Sequence, residues 1–573
     1  MNQWLIMVLS KASALDGDRL EAVPQGCSRL DCGPVRAWFR RDGRFSNDQL
    51  FAADSQGLAL CDGVILNLAE LKEEYGVGDF AQVLRRSWED TAGVFFKKFA
   101  GPFCGAVYDR ETDTLTAYAN QTGDTFVFYC RSESFYLVSN DLNMIEAVMR
   151  ENGLPRSLDE TAARYLLSFG FMLDERTLFQ EIKRVLPGEM VRFSASGGCE
   201  RSVYQRFSFA PRSISFTDAI ELVDEGFRKA VRRCFEKDRE YGVKEHLVDL
   251  SGGLDSRMTS WVAHDMGYGP FVFVNYCQSG SKELSCASRV AAALGGQFFH
   301  KQLDDVGFLY EVDRLVDMNY GLSICTGITG GEQFLRSLNF QRFGLELTGQ
   351  VGDVVIGSFF NEAQAVSQAS RLVERIKYSH TIACAPPTEL TDEFETAEAF
   401  AMHTRAFLGA LSSHLIRRYY AYAVSPFLDP DFFALCMSIP VEHRQGHKIY
   451  WAWIDKKYPE AGAIPSSRPR AHQGEWTKSR IRRYKHAVDM ILWKTGLRKQ
   501  RPKPDPDNMN PLDYWYESKP ELRAFIADYY RETRGLLDRY PETAANADQM
   551  YASGTMDKLL ALTLLAASKR YFS

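Results

Sequence analysis

The sequence predicts two joined architectures in the class α/β plus α+β: a β-sandwich with helices, then a parallel-sheet α/β unit with a helical extension. Three observations carry this. Short apolar runs broken by Gly, Asp, Asn and Ser turns fill the first part of the chain. After a polar stretch at Ala210 to Ser215 the order becomes strand, helix, strand, helix, strand, which requires a parallel sheet. From about residue 310 the pattern is mostly helical. The expected units are 1–208 and 216–573.

The stretch Trp4 to Leu9 reads as a first strand. It has no basic flank or small-residue cleavage site, so it is not read as a signal peptide. Strands are expected at Leu58–Cys61, Gly105–Tyr108, Leu115–Tyr118, Phe126–Tyr129 and Phe135–Val138, with helices near 80–89 and 158–168. A strand pair closes this part between Met190 and Phe207. Next come helix 217–236, strand His246–Leu250, helix 256–267, strand Phe271–Tyr276, helix 283–295 and strand Gln297–Lys301. No repeat or low-complexity tract interrupts the chain.

Composition narrows the function classes. A chain of 573 residues with 45% hydrophobic and 25% charged residues has an ordinary globular balance. The net charge of −6 argues against a nucleic-acid binder. The twelve cysteines form no CxxC pair, which suits reduced thiols and a cytoplasmic location. Cys27 and Cys32 lack a second pair at zinc spacing. No apolar run reaches transmembrane length.

The chemistry concentrates at Ser251-Gly252-Gly253-Leu254-Asp255-Ser256, directly after an apolar strand and before a helix. Two glycines permit close backbone approach by an anion. The helix start supplies free N–H groups and a positive dipole end. Ser251 and Ser256 add hydroxyl donors, so the loop is a phosphate cradle. A carboxylate among phosphates makes sense if Asp255 holds Mg²⁺. No GxxxxGK[ST] occurs, so this is not a Walker A loop.

The loop resembles the pyrophosphate loop of the asparagine synthetase family. Further segments are similar in the same order: Asn67-Leu68-Ala69-Glu70-Leu71, Phe99 to Asp109, Leu186-Pro187-Gly188, Leu347 to Asp353, and Ser425-Pro426-Phe427-Leu428-Asp429. The resemblance implies an N-terminal Ntn-type glutamine amidotransferase-like sandwich and a C-terminal ATP pyrophosphatase-type synthetase domain. It implies ATP and Mg²⁺ as cofactors, adenylation of a carboxylate with loss of pyrophosphate, and displacement of AMP by an amine. Adenine would lie against Val248, Leu250, Val274 and Asn275. Ser251, Gly252, Gly253, Asp255, Ser256 and Gly349 would hold the phosphates, with Asp255 and Asp353 on the metal. Asp255, Asp353, Gln350 and Arg470 would form the catalytic set.

The sequence also departs from that family. Position 2, where the glutaminase nucleophile would be Cys, is Asn2, and Asp62-Gly63-Val64 stands where Asn-Gly-Glu would hold glutamine. No glutaminase is therefore expected, and Asp79 reads as a turn residue. Gln350 and Val354 occupy the places of two Glu; an amide cannot take a proton from an attacking amine. Arg470 stands nearest the family's active-site Lys and can grip phosphate without shuttling protons. Lys448 opens a helix as either a structural residue or a phosphate contact. The losses resemble those of beta-lactam synthetases, lasso-peptide cyclases and polysaccharide-cluster homologues, and Arg257 with the aromatic tail is most similar to the last group.

From Lys478 to Lys503 ten Lys/Arg face one acid, Asp489, with apolar residues at helical spacing. This reads as a solvated helix packing its apolar face, with an anionic partner as the alternative. The expectation is an ATP-dependent, AMP-forming ligase joining a small-molecule, peptide or sugar carboxylate to an amine donor. A homodimer is compatible with it. The alternatives are a catalytically inactive binding subunit and a glutamine-hydrolysing asparagine synthase.

Overall fold

The computed structural model describes residues 2–9, 26–132, 135–194, 198–327, 329–467, 488 and 506–573. Arg470 and, apart from Val488, the basic stretch 478–503 lie outside the described residues. Strands are numbered in chain order. One six-stranded sheet runs β10 (Ile182–Arg184), β8 (Phe128–Arg131), β9 (Phe135–Ser139), β1 (Gln3–Leu9), β3 (Val35–Arg40), β2 (Ser28–Cys32). A second runs β12 (Cys199–Val203), β11 (Glu189–Ser194), β7 (Thr114–Ala119), β6 (Phe103–Asp109), β5 (Gly57–Gly63), β4 (Leu50–Ala53). Their pairings are antiparallel.

The two sheets face each other through a core that includes Trp4, Ile6, Leu60, Ala106, Leu115 and Val138. Alternate residues point to the outer faces and bury against helices. Helices α1 (Leu68–Tyr75) and α2 (Phe80–Asp90) cover the second sheet through Leu71, Val83 and Tyr118. Helices α3 (Leu142–Glu151) and α4 (Glu160–Phe169) cover the first through Met7, Leu137, Ile145 and Leu166. The result is a helix–sheet–sheet–helix sandwich.

Asn67, just before α1, is stitched to the Phe99–Asp109 segment. Its Oδ1 accepts from the Ala100 N–H at 2.9 Å, and its Nδ2 donates to the Lys98 carbonyl at 2.9 Å. Two of the sequence segments singled out above thus meet in space.

The long helix α5 (Phe216–Glu240) opens the second half, with Ser215 accepting from the Asp218 N–H as its N-cap. A five-stranded parallel sheet follows, in the order β15 (Gln297–Gln302), β14 (Phe271–Cys277), β13 (His246–Asp249), β16 (Glu346–Leu347), β17 (Ala423–Val424). Helices α6 (Asp255–Asp265) and α7 (Lys282–Ala293) are its crossovers. The expected order of elements from 217 to 301 is present, shifted by no more than a few residues. Strand β8 starts two residues later than its apolar run.

Strands β2, β3, β4, β10, β16 and β17 and helix α3 have no counterpart in the sequence expectation, whereas α1 starts at Leu68, within the segment Asn67–Leu71. The last two strands hold two residues each, too few for any periodicity. Ser28–Cys32 is an edge strand with most side chains exposed, so no apolar run marks it. Among the described residues no helix is long and apolar enough to cross a membrane.

Candidate functional site

At the carboxyl ends of β13 and β14 the chain leaves a cavity of about 230 Å³. Ligands of open parallel sheets bind at such strand ends. Leu250, Ser251, Asp255, Ser256, Val274, Asn275, Gly349 and Gln350 line it, together with Asp249, Tyr276, Thr348, Arg417 and Met509. Most of the residues singled out in the sequence therefore converge on one space. Val248 does not reach it; it is fully buried in the core between the sheet and α5. The Asn275 side chain is also engaged elsewhere. Its Nδ2 donates to the Leu250 carbonyl at 2.7 Å and its Oδ1 meets His300 Nδ1 at 2.9 Å, so it ties two strand ends together.

The loop from Ser251 to Ser256 holds itself closed through its hydroxyls. Ser251 N–H donates to Ser256 Oγ at 2.9 Å, and the two Oγ atoms lie 3.0 Å apart. Gly253 N–H donates to Ser251 Oγ at 3.2 Å. Gly252 N–H donates to the Glu283 carboxylate at 2.7 Å, so an anion already sits on the loop backbone. A Cβ at Gly252 would fall 2.8 Å from the Glu283 carbonyl oxygen, which explains the glycine.

The second loop, 348–353, packs directly on the first. A Cβ at Gly349 would lie 2.1 Å from the Ser256 nitrogen, and one at Gly352 would lie 2.8 Å from Asp255 Cγ. Asp255 Oδ1 accepts from Tyr450 Oη–H at 2.9 Å. Burial, with the Asp255 charge beside it, pushes the Tyr450 hydroxyl well above its usual range, so it stays a donor. Asp353 is half-buried on the short helix Gly352–Val355; its charge is also felt at Tyr450, but it does not line the cavity.

Gln350 is locked. Its Nε2 donates to Ser413 Oγ at 2.9 Å and its Oε1 is hydrogen-bonded to His414 Nε2. Burial lowers the His414 pKa to about 4, so this ring is neutral near pH 7. The Gln350 amide, held by these two partners, is itself no general base.

Ser467 and Met509 flank the site. Ser467 N–H donates to the Gly252 carbonyl at 3.0 Å. Met509 lines the cavity, and its carbonyl accepts from Gln278 N–H at 3.0 Å. Arg257, fully buried, sets the approach to Ser467: its guanidinium donates to the carbonyls of Ala461, Ile464 and Pro465 at 2.9, 2.7 and 2.7 Å. Lys448 Nζ donates to the Glu442 carbonyl at 3.1 Å, at a helix start and outside the cavity.

A second cavity, about 210 Å³, lies between the halves and shares Arg417 with the first. Asn2, Asp62, Cys104, Asp124, Asn140, His414 and Tyr422 are among its lining residues. Asp62 accepts from Asn2 Nδ2 at 2.7 Å, Asn140 Nδ2 at 3.0 Å and Tyr422 Oη at 3.2 Å. Its burial raises its pKa to about 6. Cys104 is buried, and its thiol is pushed well above its usual range, the opposite of an activated nucleophile. Asp79 caps α2, accepting from Gln82 N–H at 2.8 Å, and stands outside this cavity.

Asp249, Glu346, Arg417 and Tyr450 escaped the sequence reading. Asp249 carries a signal: an acid closing an apolar strand, two residues before the loop.

Residues 45–205 match the glutamine amidotransferase domain family. That segment covers most of the sandwich and less than half of the chain. No curated protein matches the chain. Among solved structures, the glutamine phosphoribosylpyrophosphate amidotransferase from B. subtilis complexed with ADP and GMP is similar at TM-score 0.24 and 10% identity, covering 53% of this chain and 85% of that one. The allosteric regulatory enzyme of purine biosynthesis is similar at TM-score 0.23 and 11% identity, covering 52% and 74%. Both superpositions are loose.

Proposed function

We propose that the protein is an ATP-dependent, AMP-forming ligase of the asparagine synthase type. It adenylates a carboxylate for attack by ammonia or another amine, and its amidotransferase-like domain does not hydrolyse glutamine. One observation carries the reading: Leu250, Ser251, Asp255, Ser256, Gly349 and Gln350 line one cavity at the carboxyl ends of a parallel sheet.

The residues suit the proposed ligands. The Gly252 N–H already donates to a carboxylate, and phosphate oxygens would displace Glu283 from it. Gly349 lets the second loop lie against Ser256, completing a backbone cradle. Asp255 would hold Mg²⁺, which is commonly bound through one or two carboxylates plus phosphate oxygens; Asp353, on the adjoining helix Gly352–Val355, would add its charge from outside the cavity lining. When bound, the ion offsets charge building on the phosphates. Tyr450 orients Asp255 from behind. Leu250 and Val274 offer an apolar wall for the base.

The test is ATP–pyrophosphate exchange with a panel of carboxylic acids, alongside Mg·ATP binding by calorimetry. Exchange is expected, and Asp255→Ala is expected to reduce it by about a hundredfold or more. A protein that neither binds Mg·ATP nor exchanges pyrophosphate overturns the proposal. The alternative of a binding subunit without activity predicts that Asp255→Ala is silent in the cell.

A further inference from the structure

The floor of the cavity holds an unusual charge balance. Arg417 is nearly fully buried, its side chain 3% exposed, and donates to two carboxylates, Glu346 and Asp249. Glu346 is fully buried and Asp249 is 13% exposed at its side chain. One guanidinium thus faces two acids, and among the described residues neither acid has a second cation within ion-pair distance. Tyr276 Oη adds only a long contact to Asp249 Oδ2, at 3.5 Å. Among the described residues, Asp249 Oδ1 and Glu346 Oε2 have no hydrogen-bond donor.

A buried, unpartnered carboxylate oxygen costs about 1–3 kcal/mol or more, so such groups call for an explanation. Glu346 does not line the cavity; Asp249 does, beside Ser251, Asp255 and Gln350. The complement to this arrangement is a small cation that donates hydrogen bonds.

We infer that Asp249 is the amine subsite of this cavity: it binds the protonated amino group of the second substrate, with Arg417, itself anchored by Glu346, holding the Asp249 carboxylate in place. The inference rests on the ligase reading and deepens it by naming the recognition group for the amine. It also answers a problem posed by Gln350, whose amide is tied to Ser413 and His414 and cannot attract a cation. The charge that would gather the amine is displaced to the strand end before the loop, on the same space of about 230 Å³. Recognition is by N–H donors and charge together, so a cation without donors is excluded.

The experiment uses the full chain and simple probes. Thermal unfolding and calorimetric titration are followed in ammonium chloride, methylammonium chloride, potassium chloride and tetramethylammonium chloride at equal ionic strength, for the native protein and for Asp249→Asn. Saturable stabilisation by ammonium and methylammonium, but not by potassium or tetramethylammonium, is expected. Asp249→Asn is expected to weaken it by about tenfold or more, since a charged hydrogen bond is lost.

Equal responses to ammonium, potassium and tetramethylammonium in the native protein overturn the inference, as does an undiminished ammonium response in folded Asp249→Asn. If that variant does not fold, the four-salt comparison on the native protein decides alone. Failure of the ligase reading appears separately, as absent Mg·ATP binding with the ammonium response intact.

Discussion

At the residue scale, Asp62 shows how the space between the halves has been taken over by structure. Its oxygens accept from Asn2, Asn140 and Tyr422, so one side chain joins β1, the turn after β9 and the start of β17. Burial raises its pKa from 3.8 to about 6. Between those pH values the folded state holds a proton that the unfolded state has lost. Stability from this group therefore rises as pH falls from about 6 to about 4, and is lost again as pH climbs through the folded pKa. Urea unfolding of the native protein and of Asp62→Asn across pH 4 to 7 should show this. Acidification should improve the native protein relative to the variant by up to about 3 kcal/mol. A difference that stays flat with pH would show that Asp62 is ionised in the folded state throughout.

At the element scale, the loop and its neighbours depend on a relay of backbone contacts. Arg257, in the first turn of α6, holds the carbonyls of Ala461, Ile464 and Pro465, and the chain beyond them delivers Ser467 to the Gly252 carbonyl. Arg257→Met fills similar space but leaves the carbonyls of Ala461, Ile464 and Pro465 without their donor. We expect a loss of about 3–5 kcal/mol in stability and about tenfold weaker Mg·ATP binding, read by thermal unfolding and calorimetry. Unchanged nucleotide affinity in a folded variant would show that the 461–467 segment does not position the loop.

This relay also marks where the sequence was legible. The strand–loop–helix unit around Ser251 could be read because glycine freedom, hydroxyl spacing and an apolar strand all leave local signatures. The placement of Gly349 beside Ser256 could be expected only from the order of similar segments, since nothing local ties residue 349 to 256. The buried trio of Asp249, Glu346 and Arg417 was not legible. Ion pairs between residues 71 and 168 positions apart have no periodicity, and charged residues are read by default as exposed. Strands β16 and β17 were hidden for a related reason: their pairing partners, not their composition, make them strands.

At the scale of the whole molecule, the two sequence halves share their cores and their charges. A single hydrophobic cluster takes in Leu5, Met7, Ile145 and Leu166 from the first half, and Leu315, Tyr320, Leu560 and Leu564 from the second. The C-terminal helix Thr555–Tyr571 packs against α4. Helix α5 adds ion pairs to the sandwich: the buried Lys237 to Asp48 at 3.0 Å, and Arg233 to Glu70 at 2.6 Å. Splitting the chain near residue 208 would expose the outer apolar faces of α3 and α4 and take Lys237 away from Asp48. Several fully buried side chains at about 1.5–3 kcal/mol each exceed the 5–15 kcal/mol of net stability a domain has. Residues 1–208 expressed alone should therefore aggregate or lack a cooperative thermal transition. Co-expression with 216–573 should restore a soluble complex that unfolds in one step, followed by size-exclusion chromatography and calorimetry. A soluble 1–208 fragment with its own sharp transition would show that the sandwich holds itself together. The shared cluster would then be a docking surface and not part of one folding unit.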